Sequence, residues 1–140
     1  MRLEQHEREL LNVLAGELEE QVRADDVSVA RLFPSAYEDD PAADDDYRRL
    51  TRGSLTDGRL RALRTLRETC TAERLEQQEA DAWCTALNDL RLVLGERIGV
   101  TEDLYERPID RRDPHAPELA IYGWLTWLQS TLVDALSSRL

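Results

Sequence analysis

Apolar side chains recur along this chain at helical spacing, and no strand-like alternation runs longer than four residues. From Arg2 to Arg23, Leu3, Leu10, Leu11, Leu14 and Leu18 fall within one arc at about 100° per residue, with Glu4, Glu9, Glu19 and Glu20 outside it. This predicts a one-sided helix. Asp25-Asp26 break the pattern, Ser28 can cap a short turn over Val29–Phe33, and Pro34 ends it. Asp40 followed by Pro41 reads as an N-cap with proline at the first helical position, which predicts a short helix from Pro41 to about Leu50, closed by Gly53. Ser54 with Asp57 resembles a capping box for a helix from Leu55 to about Thr71, whose stripe is Leu55, Ala62, Leu63, Leu66 and Cys70, weakened at Gly58. A turn is expected within Cys70–Glu76.

The next predicted helix, Gln77 to Ile98, is apolar on more than one side. Trp83, Leu87, Leu90, Leu94 and Ile98 make one face, Leu92 lies opposite, and Cys84 and Val93 widen the stripe. Such a helix belongs at the centre of a core. Gly99 sits where a C-terminal cap belongs. After a loop over Val100–Ala116, Pro117 opens a last helix to about Arg139, with Ile121, Trp124, Leu125, Leu128, Leu132, Ala135 and Leu136 in a stripe. The predicted fold is all-α, a bundle of about four main helices plus one or two short ones. One domain is expected over residues 1–140, with an acidic connector at about 34–46 and the proline-containing loop at about 100–116.

Composition narrows the function classes. The chain has 140 residues, 41% hydrophobic and 34% charged, with a formal net charge of −11. An acidic surface repels nucleic acid and anionic membranes, which argues against both as general partners. No apolar run approaches the roughly 20 residues of a transmembrane helix, and the N-terminus lacks the features of a signal peptide. A cytoplasmic location and no membrane association are therefore expected. All 18 basic residues are arginine, the footprint of GC-rich coding. Cys70 and Cys84 match no metal or redox spacing and read as small buried hydrophobes.

Three stretches carry a family likeness. They are Leu32–Asp40 with Tyr47-Arg48-Arg49-Leu50, then Trp83 with Leu87–Gly95, and Tyr122–Gln129. Together they resemble the actinobacterial DUF2017 family, of unknown function, over most of the chain from Leu3 onward. Members of that family begin with a short strand-forming segment ahead of the first helix, which is expected to be missing here. The resemblance implies an actinobacterial cytoplasmic protein. Such proteins are often encoded beside the ClpS adaptor of the Clp protease, which hints at proteolysis. The family brings no established catalytic residues.

The polar candidates are weighed on chemistry. Asn88, Asp89, Arg91 and Arg97 share the predicted central helix. Arg97 falls inside its apolar stripe on the helical wheel, where it must snorkel or find a carboxylate. Two readings stay open, an ion pair with Asp89 or with the Asp39–Asp40 region, and an arginine that recognises a carboxylate or phosphate ligand. Glu38–Asp46 holds six carboxylates in nine positions. A solvated helix start, a partner-facing patch and a metal site are its readings, and the spacing is not that of an EF-hand. Arg48–Arg67 holds seven arginines against Asp57, which suits pairing with the neighbouring acids or an acidic partner. His6 and His115 stand apart from other ligands, and no nucleophile elbow or phosphate loop is present. Trp127 lies about 120° from the centre of the last stripe, either covering the flank of its own core or anchoring another chain.

No catalytic site, cofactor or metal is assigned on these grounds, and the sequence leans away from an enzyme. The first functional expectation is a non-enzymatic interaction or regulatory module, acting through a protein partner or by self-association as a homodimer. The alternative is a small-ligand-binding or enzymatic helical domain using Arg91 and Arg97 with nearby carboxylates. A weaker alternative is an adaptor linked to Clp proteolysis.

Overall fold

A computed structural model describes residues 3–24, 32, 41–99, 114 and 116–138, and for 41 and 43–54 the main chain alone. Four α-helices make up the described chain, with no strand among these residues: α1 (Gln5–Arg23), α2 (Pro41–Thr69), α3 (Gln77–Ile98) and α4 (Ala116–Ser137). The fold is an all-α bundle. The Val29–Phe33 turn (Leu32 excepted), residues Glu38–Asp40 of the acidic run, and nearly all of the Val100–Ala116 loop lie outside the described residues.

Local chemistry explains the helix ends. Glu4 and Glu76 each precede a helix and donate their backbone N–H to a glutamate three residues on, Glu7 at 2.8 Å and Glu79 at 2.9 Å. Those carboxylates also sit at the positive end of each helix dipole. Gly99 ends α3 at φ 66°, ψ 42°, a left-handed conformation that glycine adopts without strain.

One element departs from expectation. Gly53 does not close a helix; α2 runs unbroken for 29 residues through Gly53 and Gly58, so the expected short helix and its successor are one. Asp44–Asp46, which the expected Pro41–Leu50 helix and the acidic connector both included, are helical. A glycine inside a helix costs about 1 kcal/mol relative to alanine, too little to break a helix whose second half is anchored by packing. That anchor is Ala62, Leu63, Leu66 and Cys70, all buried, whereas Leu55 is exposed.

α3 is the centre of the core, as its two-sided apolar pattern predicts. Trp83, Ala86, Leu87, Leu90 and Val93 are buried with Leu11, Ala15, Leu18 and Val22 of α1 and Leu125, Leu128 and Leu132 of α4. α1 packs closely on α2, α2 on α3 and α3 on α4; α1 approaches α3 at fewer points, and side chains of α1 and α4 meet around two hollows without close backbone packing. Arg59 meets Asp89 while Thr69 meets Trp83, so α2 and α3 run antiparallel. Leu3 and Arg8 share one end of the bundle with Ala80, Trp83 and Leu136, whereas Leu14 and Gln21 lie with Leu90, Arg97 and Leu125. α1 and α3 therefore share a direction and α4 opposes them.

The turn between α2 and α3 is held from three sides. The Trp83 indole donates to Thr69 Oγ1 at 2.6 Å, and the Thr69 hydroxyl donates to the Thr65 carbonyl at 2.6 Å. Arg8 of α1 donates to the carbonyls of Cys70 (2.5 Å) and Ala72 (3.1 Å), acceptors left free just past the end of α2, and to that of Leu3 (3.2 Å) ahead of its own helix.

Candidate functional site

The polar residues singled out in the sequence do not converge on one site. Asp89 is fully buried, and its Oδ1 lies 2.5 Å from Nη1 of Arg59, which is one-quarter exposed. Arg59 Nη2 also donates to the Leu32 carbonyl at 3.3 Å. The partner of Asp89 is thus an arginine of α2 rather than Arg97. Burial pushes the Asp89 carboxyl above the usual range, and the hydrogen bond and charge of Arg59 work against that rise. Asp89 Oδ2 is buried with no hydrogen-bond partner among the described residues.

Arg91 occupies the α3–α4 interface. Its Nη1 donates to Gln129 Oε1 at 2.5 Å, and its guanidinium carbon lies 5.6 Å from the centre of the Tyr122 ring. Its Nε is buried with no acceptor among the described residues. Asn88 is half-buried. Asp39 and Asp40 lie outside the described residues.

Arg97 corrects the helical wheel. It falls in the apolar arc but is exposed, in the last turn of α3. Side chains of α1 and α4 flank this end of α3 without closing over Arg97. Arg97 rims a shallow groove of about 40 Å³ with Leu14, Glu17, Gln21, Leu94 and Leu125. That volume is far below the roughly 300 Å³ at which small-molecule sites begin. A larger hollow of about 400 Å³ opens at the other end of the bundle, between Leu3, Arg8, Leu75, Trp83, Leu132 and Leu136. It reaches neither Arg91 nor Arg97.

The two thiols differ in setting. Cys70 is buried and donates to the Arg67 carbonyl at 3.2 Å; Cys84 is half-buried, and burial, followed by the charge of Asp81, raises its thiol. The setting of Cys84 disfavours a reactive thiolate. Among the described residues no three histidine, cysteine or acidic side chains cluster as metal ligands, and no helix is long and apolar enough to cross a membrane.

Trp127 is the sequence candidate that the structure leaves uncovered. It is 55% exposed on α4, whose close backbone packing among the described helices is with α3. Ala120, Gly123, Ser130 and Asp134, spaced three to four residues apart along the same outer side, are exposed as well. The reading of separate positions missed a feature of the whole helix. From Leu119 to Val133, fifteen consecutive residues, α4 carries no charged side chain, in a chain that is 34% charged. Scanning for the longest uncharged stretch finds it, because an amphipathic helix with a solvated back normally carries charge there.

Comparison with known proteins places this bundle. A family model described as "Domain of unknown function (DUF2017)" matches residues 1–136. The chain is 34% identical over 128 residues to proteins named oxidative stress regulator AosR from Mycobacterium bovis and Mycobacterium tuberculosis, covering 79% of this chain and 58% of theirs. It is also 34% identical over 131 residues to a putative oxidative stress regulator AosR of Mycobacterium leprae, covering 81% of this chain and 60% of that one. The chain thus spans about three-fifths of the length of these curated relatives. No solved structure matches. The family resemblance of the three sequence stretches and the match along nearly the whole chain agree, and the chain belongs to the DUF2017 family.

Proposed function

We propose that this chain is a regulatory module that acts by binding protein rather than by catalysing a reaction, and that it binds through the outer face of α4 around Trp127. The observation that carries this reading is an exposed tryptophan on a helix that has no charge along fifteen residues and whose close backbone packing among the described helices is with α3. Binding energy in interfaces concentrates on such aromatic anchors, in surroundings poor in charge. The relatives' names supply the regulatory half of the proposal. The thiols argue that any part in oxidative stress runs through binding, since Cys70 is buried and the setting of Cys84 disfavours its thiolate. We assign Asp89 and Arg91 to holding helices together. One cytoplasmic helical domain over residues 1–140 is part of the same proposal.

A ligand site using Arg91 and Arg97 gains no comparable support. Arg91 is engaged by Gln129 and Tyr122, and Arg97 borders only a shallow groove.

The test is capture of tagged wild-type and Trp127→Ala chains from native cytoplasm, with and without peroxide, followed by mass spectrometry. Partners recovered with the wild type and reduced at least tenfold with a normally folded Trp127→Ala chain support the reading. The same partners at the same yield with both chains overturn it. A Clp component among the Trp127-dependent partners would select the adaptor form.

A further inference from the structure

We propose that the partner on the outer face of α4 is a second copy of this chain, its α4 antiparallel to the first, with Trp127 of each copy seated against Gly123 of the other. This rests on the reading of that face as a binding surface and names its occupant.

Gly123 lies in the middle of α4, where glycine costs about 1 kcal/mol relative to alanine. Nothing among the described residues asks for it, since a Cβ built there meets none of their atoms within 4 Å. The space freed by the missing side chain opens outward. Trp127 follows one turn later on the same side and is 55% exposed. A notch and a knob four residues apart on one helix are self-complementary under a two-fold axis placed midway between them. An isologous contact of that kind repeats each interaction twice. In the same register Ala120 of each copy faces Ser130 of the other, both small and exposed.

The charge pattern permits the same occupant at this face alone. Two chains of net charge −11 repel each other across most faces. The uncharged stretch from Leu119 to Val133, about 22 Å long at the helical rise, is where they can approach without stacking acid on acid. The acid at the end of that face, exposed Asp134, comes opposite Ala116 of the second copy in this register. There it meets the N-terminus of the other α4, the positive end of a helix dipole. One helix face per chain falls short of the roughly 800 Å² that a standard interface buries on each side, so the dimer is reversible and concentration-dependent.

Sedimentation of the whole chain from low micromolar to near-millimolar concentration tests this. The expected result is a shift from monomer mass toward twice that mass. Gly123→Arg and Trp127→Ala should each weaken association at least tenfold while helix content by circular dichroism is unchanged. A second measurement stands even where Gly123→Arg disturbs folding. On a Cys84→Ser background, the Ala120→Cys, Ser130→Cys double variant should form a covalent dimer on mild oxidation, and either single variant much less. A wild type that stays monomeric throughout overturns the proposal, and so does a dimer indifferent to both Gly123→Arg and Trp127→Ala. Loss of another captured protein by Trp127→Ala in a strictly monomeric chain would sink the dimer and leave the interaction reading standing.

Discussion

Arg59 reaches from α2 to Asp89 on α3, its Nη1 2.5 Å from an Oδ1 that no solvent touches. Removing one partner of such a pair leaves the other uncompensated, which costs about 3 kcal/mol or more in a buried setting. Arg59→Ala should therefore lower unfolding stability by roughly 3 kcal/mol, read as a fall in the urea midpoint at unchanged slope. Asp89→Asn keeps the shape and a hydrogen-bond acceptor and should cost less than Asp89→Ala. An Arg59→Ala chain as stable as the wild type would show that the pair contributes nothing to α2–α3 docking.

Asp89 also makes a pH prediction. Burial raises its folded carboxyl above the ordinary value of about 3.9, with Arg59 opposing. A carboxyl raised in the folded state binds its proton more tightly there than in the unfolded chain. Its contribution is thus fully present below the unfolded value and is lost as pH rises through the folded one. Across that window, the wild type should gain stability relative to Asp89→Asn as pH falls from neutral. The difference between the two chains is the measurement, since the other carboxylates titrate in both. A difference that shrinks on acidification would contradict the assignment.

The Trp83 indole is 2% exposed and donates to Thr69 Oγ1. Thr69→Val keeps the shape and removes the acceptor, leaving a buried N–H unsatisfied at a cost of about 1–3 kcal/mol. Thr69→Ser keeps the hydroxyl and should cost less. Thermal unfolding followed by tryptophan fluorescence separates the two.

Gly58 lies inside α2, and a Cβ there meets nothing within 4 Å. Gly58→Ala should stabilise the chain by up to about 1 kcal/mol through helix propensity alone. A loss of stability would mean that the outer side of α2 at Gly58 is covered.

The periodicity of apolar residues was enough to locate α1, α3, α4 and the second half of α2, put Trp83–Val93 at the centre, and set Trp127 off its stripe, and Gly99 marked the cap of α3. These follow from local rules, namely the 3.6-residue turn, the freedom of glycine at positive φ, and the need to bury Leu and Trp. Which polar groups meet was decided only in three dimensions. Asp89 pairs with Arg59, thirty residues away, because α2 runs antiparallel to α3, and no spacing along the chain encodes that distance. Arg97 is exposed although the wheel buries it, because α1 and α4 do not close over the end of α3. Gly53 fails to break α2 because a penalty of about 1 kcal/mol yields to the burial of Leu63 and Leu66 further along the same helix. Local preferences set where helices form; the relative placement of whole helices set which side chains are partnered and which are left exposed.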